Sequence, residues 1–203
     1  MMTQMNRRTM LAAPEGATAT ALAGCLGDGN EQEFDGGGTG DLSDPTDHAE
    51  VVLTGRPNPG FAMSYASLSF GPEIVHIVSG GTVQWLIEGH EKIDDHQHSL
   101  TAYHPDTHRS QRVPDDTEPW ESGLLFEGDT YEHTFEQEGI HDYLDNRQLC
   151  ISHEMLGAVG RVVVGWPDVE SEPAYRHNVG RLPGKAETTL TEIDERTVIA
   201  FAE

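Results

Sequence analysis

An all-β sandwich or barrel is the fold class the sequence predicts. Short β-rich runs recur from Ala49 onward, turn residues separate them, and the β signal stops near Gly165. The runs are Val51-Val52-Leu53, Ile74-Val75-His76-Ile77-Val78, Thr82-Val83-Gln84-Trp85-Leu86-Ile87 and Tyr131-Glu132-His133-Thr134-Phe135. Ser79-Gly80-Gly81 predicts a left-handed turn between the second and third runs, and Glu127-Gly128-Asp129 predicts another before the fourth. Gly160-Arg161-Val162-Val163-Val164 is apolar almost without a break, as suits a final strand covered on both faces. After Trp166 the pattern changes again. Leu182-Pro183-Gly184 precedes a stretch from Ala186 to Ala202 that reads as one amphipathic helix, either docked on the β domain or free.

The N-terminal residues carry an address rather than a fold. Arg7-Arg8-Thr9-Met10-Leu11, a run of small residues and Leu22-Ala23-Gly24-Cys25 together resemble a twin-arginine export signal closing on a lipobox. That resemblance implies cleavage before Cys25, lipidation of its thiol and a domain held at the outer face of the cell membrane. Residues 26–48 are rich in Gly, Asp, Glu, Ser and Thr, with almost nothing to bury, and predict an acidic flexible linker. The expected divisions are therefore 1–25 signal, 26–48 linker, 49–166 β domain and 167–203 a partly helical tail.

Charge narrows the partners. With 35 acidic against 12 basic residues the formal net charge is −23, which repels phosphate backbones and argues against nucleic acid as a partner. The same excess suits solubility in concentrated salt and points to a halophilic source. No G-x-S-x-G, phosphate-binding glycine loop or His-Glu-x-x-His motif is present, so the sequence offers no hydrolytic mechanism and no enzyme is expected.

Once Cys25 is lipidated, Cys150 is the one remaining thiol, and a metal would explain why an exported chain keeps it. Cys150-Ile151-Ser152-His153 sets a thiolate and an imidazole three residues apart just before the last strand. His98 follows the Trp85 strand at a distance suited to supplying a second imidazole. Two imidazoles and one thiolate form the trigonal set that holds a single copper ion in blue-copper centres.

At this point a family resemblance becomes specific. Phe70-Gly71-Pro72-Glu73-Ile74-Val75, Gly81-Thr82-Val83-Gln84-Trp85, His98-Ser99, Gly128 to Phe135, Gly139-Ile140-His141-Asp142-Tyr143 and Cys150 to Gly165 look like successive blocks of the plastocyanin/halocyanin family of type 1 copper proteins. About 100 residues match in order. The resemblance implies a Greek-key cupredoxin sandwich carrying electrons between redox proteins as a monomer, with His98, Cys150 and His153 as equatorial copper ligands and the exposed edge of His153 as the electron exit. Two departures stand out. The family's axial methionine is the second residue of a Gly-Met-Val-Gly tetrad, but here Gly157-Ala158-Val159-Gly160 puts Ala158 in that place. Met155 is the nearest thioether, read either as an axial donor or as core filler. The family's cysteine also follows its tyrosine-bearing strand closely, whereas Leu144 to Leu149 intervene here, with Asp145-Asn146 read as the turn of an inserted mini-loop.

His90, His96, His104 and His108 flank His98 among several carboxylates and could form a second, nitrogen/oxygen metal site; His133 is expected to pack in its strand. Three functions follow from these readings: an electron carrier, a copper-delivery module, or a metal-free cupredoxin used for assembly.

Overall fold

The computed structural model describes residues 40–58, 65–88, 97–108, 110–148, 151–176 and 182–201. The export signal, Cys25, His90, His96, Cys150 and His177 lie outside the described residues. Seven strands run in chain order: β1 (Thr46–Pro57), β2 (Tyr65–Gly71), β3 (Ile74–Ile87), β4 (Leu100–Ala102), β5 (Thr130–Phe135), β6 (Gly139–Asp145) and β7 (Val159–Val164). Two helices follow, α1 (Pro173–Arg176) and α2 (Lys185–Phe201).

Ser79-Gly80-Gly81 does not separate two strands as the sequence suggests. Gly80, at a φ of 81°, bends one long strand instead of ending it. Before the bend, Ile74 to Ile77 pair in parallel with β7; after it, Thr82 to Leu86 pair with β5 and Thr82 to Ile87 with β1. Strand β3 therefore belongs to both layers. One layer is β2-β1-β3-β5 and the other is β3-β7-β6-β4, the arrangement of a sandwich whose corner strand is shared. Between them lie Phe70, Trp85, Phe135, Tyr143 and Val162, all buried.

The C-terminal segment docks rather than hanging free. Ala186, Leu190, Ile193 and Thr197 recur at helical spacing and are buried. The apolar members of that stripe share a second core with Ile74, Tyr103, Leu144, Val159 and Val163, which sheathes the outer face of β6 and β7. This explains why every residue of those two strands is buried. At the other end of the domain the β structure begins earlier than expected. Strand β1 opens at Thr46, and Leu42, placed by composition in the linker, is buried against α2 and accepts a hydrogen bond from His76 Nδ1 (3.0 Å).

No helix among the described residues is long and apolar enough to cross a membrane.

Candidate metal centre

Three segments bring functional side chains to one end of the sandwich. His98 lies just before β4, where its backbone pairs with Leu125 in both directions (2.9 Å each). Asp145 is the last residue of β6, its N–H bonded to the Ala158 carbonyl (2.9 Å). His153 opens a short 3-10 turn at Glu154–Leu156 after an excursion that closes on itself. Gln148 bridges to Ser152, and the His153 N–H donates to the Arg147 carbonyl (2.9 Å). The chain therefore returns beside the point it left, and His153 stands next to Asp145.

Their donor atoms converge. The Nδ1 of His98 and the Nδ1 of His153 each lie 2.6 Å from Asp145 Oδ2, and the three atoms all sit within 4.8 Å of one another. All three residues are buried, at 2%, 1% and 0% exposure for His98, His153 and Asp145. The carboxylate cannot swing freely, because its other oxygen accepts the backbone N–H groups of Ser99 (3.0 Å) and Arg147 (3.1 Å). Burial alone would raise the Asp145 pKa, but hydrogen bonds from His153 and His98 outweigh it and hold the group at about 2.

Tyr65, at the start of β2, covers the pair, its ring centroid 6.2 Å from each imidazole. Gly55 on β1 makes room for it: a Cβ there would stand 2.1 Å from Tyr65 Cε1. Gly55→Ala is therefore expected to push Tyr65 off the imidazoles and destabilise the fold by about 1–3 kcal/mol, as overpacking of a core does. Urea unfolding would measure the loss.

Several expectations change. His153 presents no exposed edge, because Tyr65 and the surrounding core enclose it. Met155 does not fill the core: it is 44% exposed, between Glu154 and Leu156, which do turn toward the protein. Ala158 is fully buried in the main core. Cys150 lies outside the described residues, so its place relative to the imidazoles is not among the observed contacts. Among the described residues the one group of three converging His, Cys, Asp or Glu donors is His98, Asp145 and His153. His108 instead faces Glu154 (3.5 Å) and the Tyr103 ring, and the His104 Nδ1 accepts the Asp106 N–H (3.1 Å). His133 stacks on Trp120 at 4.9 Å, a packing role.

Sequence reasoning missed Asp145, which it took for a turn residue. The signal was present in its position: it ends the tyrosine-bearing strand two residues after Tyr143, where the resemblance calls for a ligand soon after the strand. The intervening residues of the closed excursion hid this.

A single ion about 2 Å from each donor would span a donor separation of up to about 4 Å. The observed cluster is close to that scale, and imidazole nitrogen with an anionic oxygen suits copper or zinc.

Comparisons with known proteins agree on the fold. No protein-family model matches the chain. It is 32% identical over 127 residues to a halocyanin from Natronomonas pharaonis, a match that covers 62% of each protein. The chain thus spans less than two thirds of that relative. Among solved structures, a native pseudoazurin from Hyphomicrobium denitrificans superposes with a TM-score of 0.51 at 17% identity, covering 73% of this chain and 97% of that one. A pseudoazurin from Sinorhizobium gives 0.50 at 19% identity, covering 74% and 95%.

Proposed function

We propose that this chain, halocyanin-like in sequence and a cupredoxin in fold, binds one copper ion at the His98–His153 pair and carries electrons at the outer face of a cell membrane. The observation that supports this most directly is the convergence of two buried imidazoles, from separate segments, on Asp145 Oδ2, which lies 2.6 Å from each Nδ1. Copper held there would supply the one-electron couple between Cu(I) and Cu(II).

The protein's own residues supply the rest. Backbone hydrogen bonds on both sides of His98 and the closed excursion before His153 fix the imidazoles, so little reorganisation would accompany a change of charge. Tyr65 and the core exclude water. Burial of both imidazoles favours electron transfer over copper delivery, since a delivery module must expose a ligand for the ion to leave. Around the site Leu124 and Phe126 flank Leu125, the backbone partner of His98, and Ile151 and Met155 flank His153; all four are exposed. Exposed apolar side chains next in sequence to residues of the site suit brief docking of a redox protein. Cys150, close in sequence to His153, is the thiolate donor proposed from the sequence, and the twin-arginine signal with Cys25 is proposed to place the domain outside the membrane on a lipid.

The test is copper uptake by the purified chain in high salt. One equivalent of Cu(II) should bind, and His98→Ala or His153→Ala should weaken binding at least 100-fold while reductant and oxidant cycle the wild-type signal reversibly. Unchanged uptake in both variants would refute the assignment. Cys25→Ser should release the protein from the membrane fraction.

A further inference from the structure

We infer that Asp145, through Oδ2, is the third protein ligand of the metal centre, a carboxylate where the sequence alone suggests the thiolate of Cys150. This rests on the proposal that His98 and His153 hold copper, and it changes the chemical class of the centre from nitrogen/sulfur to nitrogen/oxygen.

The argument comes from two aspartates on one strand. Asp142 and Asp145 both lie on β6 and both are fully buried. Burying a carboxylate is costly unless a cation or a set of donors compensates it. Asp142 has its cations: Arg112 Nε at 2.7 Å and Arg161 Nε at 2.7 Å. Asp145 has no arginine or lysine against its carboxylate among the described ion pairs; its side-chain partners are the imidazoles of His98 and His153.

The details of that carboxylate match a ligand. Oδ1 is committed to the N–H groups of Ser99 and Arg147, which sets the plane of the group and leaves Oδ2 as the oxygen that faces the imidazoles. Oδ2 lies 2.6 Å from each Nδ1, and the three atoms lie within 4.8 Å of one another, close enough for one cation to engage all three.

Hard oxygen in place of soft sulfur favours divalent Cu(II) and Zn(II) over Cu(I) and removes the source of intense blue absorption. The full chain loaded with Cu(II) is thus expected to show weak visible bands, with Cys150→Ser leaving the spectrum and affinity unchanged within twofold. Asp145→Asn should lower Cu(II) affinity by more than the roughly 10–100-fold that losing a merely orienting partner costs. Asp145→Cys in a Cys150→Ser background should turn the protein blue, because a thiolate at position 145 would bond copper directly. An intense blue band in the wild type that Cys150→Ser abolishes would overturn the inference and leave the electron-transfer reading standing. Copper bound without a blue band in the Asp145→Cys, Cys150→Ser protein would overturn it as well. Absence of copper uptake at the histidines in the wild type would instead refute the reading beneath it. The Cys150→Ser variant leaves Asp145, His98 and His153 unchanged, so it decides the matter even if the position 145 variants fail to fold.

Discussion

Arg161→Ala is expected to destabilise the protein by about 3–5 kcal/mol, the cost of breaking a buried ion pair from one side. Arg161 stands in the middle of β7, fully buried, and all five of its N–H donors are used. Nε and Nη2 hold both oxygens of Asp142 (2.7 and 3.0 Å), Nη1 reaches Tyr175 Oη and Thr197 Oγ1 (3.0 Å each), and Nη2 also meets Asp194. Burial works against the charge on Arg161, but Asp142 outweighs it and raises the guanidinium pKa still further. Burial likewise raises Asp142, and Arg161 with Arg112 more than reverses that, keeping the carboxylate ionised. Alanine would leave Arg112 as the one guanidinium against both Asp142 and Asp194 among the described ion pairs, and would release Thr197 Oγ1 of α2 from β7. The measurement is urea unfolding followed by circular dichroism. A double variant, Arg161→Met with Asp142→Asn, should recover part of the loss because no uncompensated charge remains. A loss below 1 kcal/mol in Arg161→Ala would show that water or a rearranged Arg112 compensates the carboxylate.

The second large effect is acid destabilisation through His141. Burial depresses its folded-state pKa from 6.5 to about 4, only partly offset by its hydrogen bond to the Gln137 carbonyl. The unfolded chain takes up this proton near pH 6.5 and the folded protein not until about 4. Between those values the unfolded state binds more protons, so stability falls as pH falls. The contribution is complete above about 6.5 and gone below about 4, a difference of about 3 kcal/mol for a shift of this size. Unfolding midpoints measured from pH 7 to 4 should drop accordingly. His141→Phe, beside Phe135, removes the titrating group and should flatten that slope. An equally steep slope in the variant would assign the acid sensitivity elsewhere.

Local chemistry made much of the protein legible. The β runs at Val51, Tyr131 and Gly160 became β1, β5 and β7, those at Ile74 and Thr82 became the two halves of β3, and the stretch from Ala186 became α2 within a residue of its expected start, because periodicity depends on neighbours in the chain. His98 and His153 could be picked out because the resemblance carried each of them in its own block, and the structure brings them together at Asp145. Residues 65–71 were less legible as a strand, since Ser and Ala dilute the pattern of what became β2.

Other features were decided only by tertiary contacts. Whether Gly80 ended a strand or bent it depended on which strands waited on either side, and β7 and β5 lie far from it in sequence. Whether the C-terminal helix docked depended on an uncovered face of β6 and β7, with Arg161 and Asp142 at its centre offering a buried partner to Asp194. Asp145 read as a turn residue because Asp-Asn commonly is one. It became a candidate ligand because the excursion after it closes through Arg147 and His153 and returns an imidazole to its side. Sequence by itself thus determined the elements and the histidines, which short-range pattern and composition encode. The tertiary structure decided which anion stands between those histidines, because that depends on where separate segments meet.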